Sequence, residues 1–152
     1  MSRVEKAGIK VDVPLGWEGT ISGGGFRLLA DGAREPTVLH VSSFPLPAQR
    51  GSFGAGAVQL MNNHDVFIVL FEYGEDSVGT PLFATQGAPR ELLPGDFDRH
   101  RLQQAIPGQS GLQYFFTEKD RAFCLYVVIG SHIDRADLVR EVNSVLETLE
   151  IS

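Results

Sequence analysis

The stretch that most constrains this chain is residues 121–130, RAFCLYVVIG. Successive side chains of a strand point to opposite faces. Phe123, Leu125, Val127 and Ile129 therefore share one face, and Cys124, Tyr126 and Val128 share the other. A strand that is apolar on both parities needs cover on both sides. Residues 66–73, VFIVLFEY, make a second strand of this kind and belong beside the first in the middle of a sheet. After residue 130 the pattern becomes helical: Leu138, Val142, Val145 and Leu149 fall at i, i+4, i+7 and i+11, with Val139 and Leu146 widening the stripe. Asp134 suits the N-cap, and Asp137 suits the positive end of the helix dipole. Arg140, Glu141, Ser144 and Glu147 then face water.

Around these elements the chain reads as a series of shorter strands. Ile9, Val11 and Val13 alternate with Lys10 and Asp12 up to Pro14. Trp17, Gly19 and Ile21 alternate with Glu18, Thr20 and Ser22, so the two runs form a hairpin-like entry around Pro14-Leu15-Gly16. Trp17 is expected to be partly buried beside it. Residues 23–25 are a glycine break. Residues 37–44 form a strand whose polar parity, His40 and Ser42, marks it as a candidate sheet edge open to self-association. Residues 55–62 form a short helix, and 98–106 hold a helical turn or two. Residues 112–117 pair antiparallel with 121–130 across a polar turn.

At 152 residues this is a single domain, large enough to bury roughly 70% of its unfolded surface. The net charge of -6 and the dispersed 13 basic residues argue against nucleic acid as a partner. One cysteine makes no intramolecular disulfide, and the N-terminal residues 1–13, MSRVEKAGIKVDV, lack the apolar stretch of a signal peptide and the length of a membrane span. A cytoplasmic protein without a membrane span is the expectation.

No catalytic constellation is legible. Cys124 has no adjacent cation and reads as a buried, inert thiol. Ser110 in PGQSG lacks the spacing of a nucleophile elbow, and the glycines of 51–56 lack the Lys-Ser/Thr of a phosphate loop. His40, His64, His100 and His132 show no metal-ligand spacing, although a distributed site using His64 and Asp65 stays open. Glu72, at the end of an apolar strand, must pair, shift its pKa or reach the sheet's rim. No cofactor and no metal are expected.

The two ends carry a resemblance. Val11-Asp12-Val13-Pro14-Leu15-Gly16-Trp17 fits the V-x-V-P-x-G-W opening of many Mog1/PsbP-like proteins. The glycine-rich entry at 108–111, the strand pair 113–117 and 121–130, and the final helix running into Glu150-Ile151 fit their close. In full length the chain is similar to actinobacterial members of this superfamily. The resemblance implies an α/β/α sandwich with a central, largely antiparallel sheet. It also implies an accessory role, since members are mostly adaptors without a shared catalytic centre. It transfers no functional residue.

Two functions are open: a non-catalytic interaction module for a protein partner, or a small-ligand- or metal-binding protein, even an enzyme, with a pocket near Glu72, His64 or His40. The stretch 74–98 is where a partner is expected. It is 25 residues long, beyond the usual limit for a structureless loop. It sets Glu75, Asp76, Glu91, Asp96 and Asp98 against Arg90 alone, among the apolar Leu82, Phe83, Leu92, Leu93 and Phe97. These apolar residues either fold back as cover, with a short strand around 82–84, or anchor a basic partner segment.

Overall fold

The computed structural model describes residues 1–24 and 35–152; of the expected glycine break, Gly25 lies outside them. The architecture is mixed α/β, with two antiparallel sheets and one α-helix among the described residues. The strands are β1 (Ser2–Lys6), β2 (Ile9–Val13), β3 (Glu18–Ser22), β4 (Val38–Ser42), β5 (Val66–Glu72), β6 (Ser110–Glu118), β7 (Arg121–Ile129) and β8 (Glu150–Ile151). Helix α1 spans Arg135–Leu146. The larger sheet runs β3-β4-β5-β7-β6 and the smaller β1-β2-β8.

The two doubly apolar runs are neighbours, as their composition requires. β5 pairs with β7 over the whole length of β5, from Val66 opposite Ile129 to Glu72 opposite Phe123. Their two parities feed two cores. Ile68, Leu70, Phe123, Leu125, Val127 and Ile129 pack with Leu138, Val142, Val145 and Leu149 and with Ile9, Val11 and Val13 of β2. Phe67, Val69, Tyr126 and Val128 pack on the opposite face with Phe44, Phe53, Ala57, Val58 and Ile106. That second face is covered by irregular chain and a 3-10 turn at Val58–Leu60, where the resemblance implies a helical layer. The Tyr126 hydroxyl accepts a hydrogen bond from the Gln103 amide at 2.7 Å, which pins part of this cover.

The N-terminal expectation needs correction. Residues 9–13 and 17–22 do not form a hairpin; they enter different sheets. β2 pairs instead with β1, through the two-residue turn Ala7-Gly8, both at positive φ, and with β8. β3 pairs with β4. The two sheets come close at Gly19, where an added Cβ would lie 2.5 Å from a Val13 methyl and 3.3 Å from a Val4 methyl. Only a residue without a side chain permits that approach. Trp17 is half-buried against the helix-side core, in line with its expected role as a plug.

β4 is not an edge either. It lies between β3 and β5, and its polar side chains are satisfied internally. The Ser42 hydroxyl donates to the Phe44 carbonyl at 2.7 Å. The edges of the larger sheet are β3 and β6. Residues 98–106 form turns in place of helix.

Candidate functional site

The stretch 74–98 crosses the β6 edge and divides into two parts. In the first part, Pro81–Phe83 is a 3-10 turn where a short strand was expected. Phe83 sits 5.1 Å from the Tyr73 ring and 5.7 Å from the Phe115 ring. Thr85 and Gly87 then bond the backbone of Thr117 in a parallel bridge. Glu75 and Asp76 lie in an exposed turn at the end of β5, apart from the residues that follow.

The second part leaves β6 after Gly87 and returns at Asp98, which exchanges two backbone hydrogen bonds of 2.9 Å with Gly111. In between it reaches over to α1. The Leu92 amide donates to Asn143 Oδ1 at 2.8 Å, and Asn143 Nδ2 donates back to the Leu92 carbonyl at 2.9 Å. Leu92 and Phe97 enter the helix-side core. Ten residues, 88–97, thus bow around five residues of β6, 112–116, and leave an open cleft of about 540 Å³ between them. Leu112, Gln113 and Tyr114 form one wall, and Pro89, Glu91, Leu92 and residues 95–98 form the other, with Arg101 beside them.

The expected partner-binding residues are therefore split. Phe83, Leu92 and Phe97, each 4% exposed, are core cover, because neighbouring aromatic rings and α1 take up their side chains. Leu82 and Leu93, at 59% and 60%, stay in solvent. Around the cleft the carboxylates are Glu91, Asp96 and Asp98, and the one lining cation is Arg101. Asp96 Oδ2 accepts from the Leu93 amide and Asp98 Oδ1 from the His100 amide, so both carboxylates help fix the loop.

The structure does not bring Glu72, His64 and His40 into one pocket. Glu72 and His64 flank opposite ends of β5, eight positions apart and hence roughly 25 Å along an extended chain. Glu72 is held at the rim by Arg121 in a two-pronged pair of 2.8 and 2.7 Å. The same guanidinium donates to the carbonyls of Ala7 and Ser152, joining the larger sheet to the smaller one. The exposed His64 lies 3.8 Å from Asp65. That carboxylate already accepts from the Ser43 hydroxyl and the Asn62 amide. His40 is buried, with Nε2 bonded to the Ser52 carbonyl and Nδ1 accepting from Arg50 Nε, each at 2.8 Å. These partners fix it as the neutral imidazole protonated on Nε2. Burial foremost, then the Arg50 charge, holds its pKa below the ordinary value, against an opposing pull from the Ser52 carbonyl. Among the described residues no group of three or more metal-ligating side chains comes together.

Two polar arrangements carried no sequence signal, because their partners are distant in the chain. The Ser110 hydroxyl lies 2.9 Å from His132 Nδ1, but Ser110 is fully buried and offers no nucleophile to a substrate. Gln109 donates to the Val58 carbonyl, and its Oε1 is sealed from solvent with no partner among the described residues. Cys124 is buried, and that burial pushes its thiol up to about 11 despite a counteracting bond to the Tyr114 backbone. Compared with known proteins, the chain matches no family model, no curated protein and no solved structure. Among the described residues no helix is long and apolar enough to cross a membrane.

Proposed function

We propose that this protein is a non-catalytic interaction module that holds a protein partner in the cleft between residues 88–98 and β6. One observation carries the reading: the loop is anchored to β6 at both ends and bows away from it in the middle. The cleft there is rimmed by acids, and the exposed Leu93 follows its lining residue Leu92 in the chain. Interfaces of this kind combine an apolar anchor with a polar rim. Glu72, Asp65 and His40 are engaged in fixing structure, which weighs against the ligand- or metal-binding alternative near Glu72 and His64. The resemblance to the Mog1/PsbP-like superfamily, with its adaptors and its α/β/α sandwich, favours the same role. The lone buried thiol of Cys124 suits the reducing conditions of a cytoplasm.

Site-directed photo-crosslinking tests the proposal. A photo-reactive residue at Leu93 is expected to give a discrete protein adduct in cells, while the same residue at Leu15, 89% exposed and remote in sequence, gives none. The purified adduct partner should then bind the unmodified protein, and Leu93→Asp should weaken that binding without lowering the melting temperature. Identical adducts from both positions, or a partner indifferent to Leu93→Asp, would refute it.

A further inference from the structure

Strand β6 is buried at residues 110–112 and again at 116–117, and half-exposed between them at Gln113, Tyr114 and Phe115. In an antiparallel ladder the backbone groups of alternate residues point toward one neighbour and then the other. Gly111 and Thr117 bond outward, to Asp98 and to Thr85 and Gly87. Gln113 and Phe115 share their parity, so their N–H and C=O groups also point outward. Among the described residues no backbone hydrogen bond outside β7 reaches either one. The result is a gap in an otherwise closed edge: two residues and four backbone groups, framed by bridges at Gly111 and Thr117.

An unpaired edge is a template for another strand, and proteins ordinarily blunt such edges with charge, a bulge or a covering loop. Here the loop covers both ends and bends away where it would have to cover the centre. The side chains at that bend select what enters. Glu91, Asp96 and Asp98 outnumber Arg101, so the rim is negative. A second copy of this chain would bring the same carboxylates against it, which like-charge repulsion opposes. A segment bearing lysine or arginine would meet the opposite sign.

Resting on the interaction reading above, we infer that the cleft takes an extended, basic segment of its partner as a short added strand, hydrogen-bonded to Gln113 and Phe115. Main-chain bonds supply the hold in strand addition, and side chains at alternate positions supply the choice. Side chains of one parity of the incoming segment lie over the helix-side face near Tyr114. The basic ones reach Glu91, Asp96 and Asp98.

The probe is a labelled seven-residue peptide of alternating lysine and valine, with two isomers N-methylated either at every lysine or at every valine. Fluorescence anisotropy at low salt is expected to show binding by the parent. One isomer should bind like the parent, and the other should lose about tenfold or more, because only one parity of N–H faces β6. Amide exchange at Gln113 and Phe115 should slow on binding, with no change at Leu112 and Tyr114. Glu91→Gln should weaken the complex several-fold at low salt and leave it unchanged above ~0.5 M, where exposed charges are screened. Equal binding by both methylated isomers overturns strand addition while the cleft reading stands. Failure of the parent to bind, with a Leu93 crosslink intact, also overturns this inference alone. Failure of both parent and crosslink removes the inference and the cleft reading together. Dimerisation of the chain through β6, seen by sedimentation, refutes the choice of occupant.

Discussion

Leu92 and Leu93 are adjacent and identical, and the structure gives them opposite fates. Replacing each by alanine in turn separates core cover from exposed anchor with the chemistry held constant. The Asn143 side chain holds the Leu92 backbone on both its N–H and its C=O, so truncating the side chain leaves the loop's path in place. What is lost is a side chain 4% exposed in the helix-side core. Leucine-to-alanine changes at buried sites cost about 2–5 kcal/mol, and a loop-borne site that can partly collapse belongs near the lower end, at about 2.5 kcal/mol. For a domain of this size that is a fall in melting temperature of about 5–10 °C. Leu93→Ala removes a side chain that is 60% exposed and should stay within about 0.5 kcal/mol, or about 2 °C. Urea titrations of both variants, analysed for midpoint and slope, are the measurement. Equal destabilisation by the two substitutions would mean that residues 88–98 do not follow this path, and the cleft would go with them.

Arg121→Met leaves the Glu72 carboxylate half-buried without its partner and frees the carbonyls of Ala7 and Ser152; it should cost about 3 kcal/mol, with Glu72→Gln in the same chain restoring part of the loss. His40 has a folded pKa below its unfolded value of about 6.5, so as pH falls below that value the unfolded chain binds a proton the folded chain refuses. Stability is then expected to decline from pH ~6.5 toward the folded pKa, by up to ~1.4 kcal/mol per unit, and a His40→Gln variant should lack this component in pH-dependent urea melts. Cys124, with its thiol pushed up to about 11, should resist a thiol reagent at pH 8 in the native protein and react promptly in denaturant; fast native labelling would contradict the placement of β7.

The sequence displayed the centre of this fold well and its margins poorly. β5, β7 and α1 each bury many side chains in one regular repeat, so the period alone reveals them. β1 is different: in SRVEK only Val4 is even partly buried, and the strand exists because the Ala7-Gly8 turn folds it onto β2. β8 is two residues long and has no period to read. The hairpin expected at Pro14 failed because alternation tells which face of a strand is buried but not which strand lies beside it. β4 was misplaced at an edge because His40 and Ser42 look like surface residues. Their partners, Ser52, Arg50 and Phe44, come from the loop that follows. In 74–98 the departure from a plain solvated loop was legible from the stretch's length and mixed character. The division of its leucines was not, since 3-10 turns are too short to establish a repeating face.

The pairing of β2 with β8, Ile9 opposite Ile151, sets a schedule for biosynthesis. Translation at ~5–20 residues per second separates the emergence of β2 from that of α1 by roughly 120 residues, or about 6 to 24 s. During that time β1 and β2 can fold into their hairpin, but two strands alone are marginal in water. Ile9, Val11 and Val13 wait without the helix that covers them in the finished protein. A nascent chain of this kind presents a short greasy ribbon to whatever holdase stands at the ribosome exit. Ribosomes that stall before residue 135 would leave a polypeptide destined for quality control.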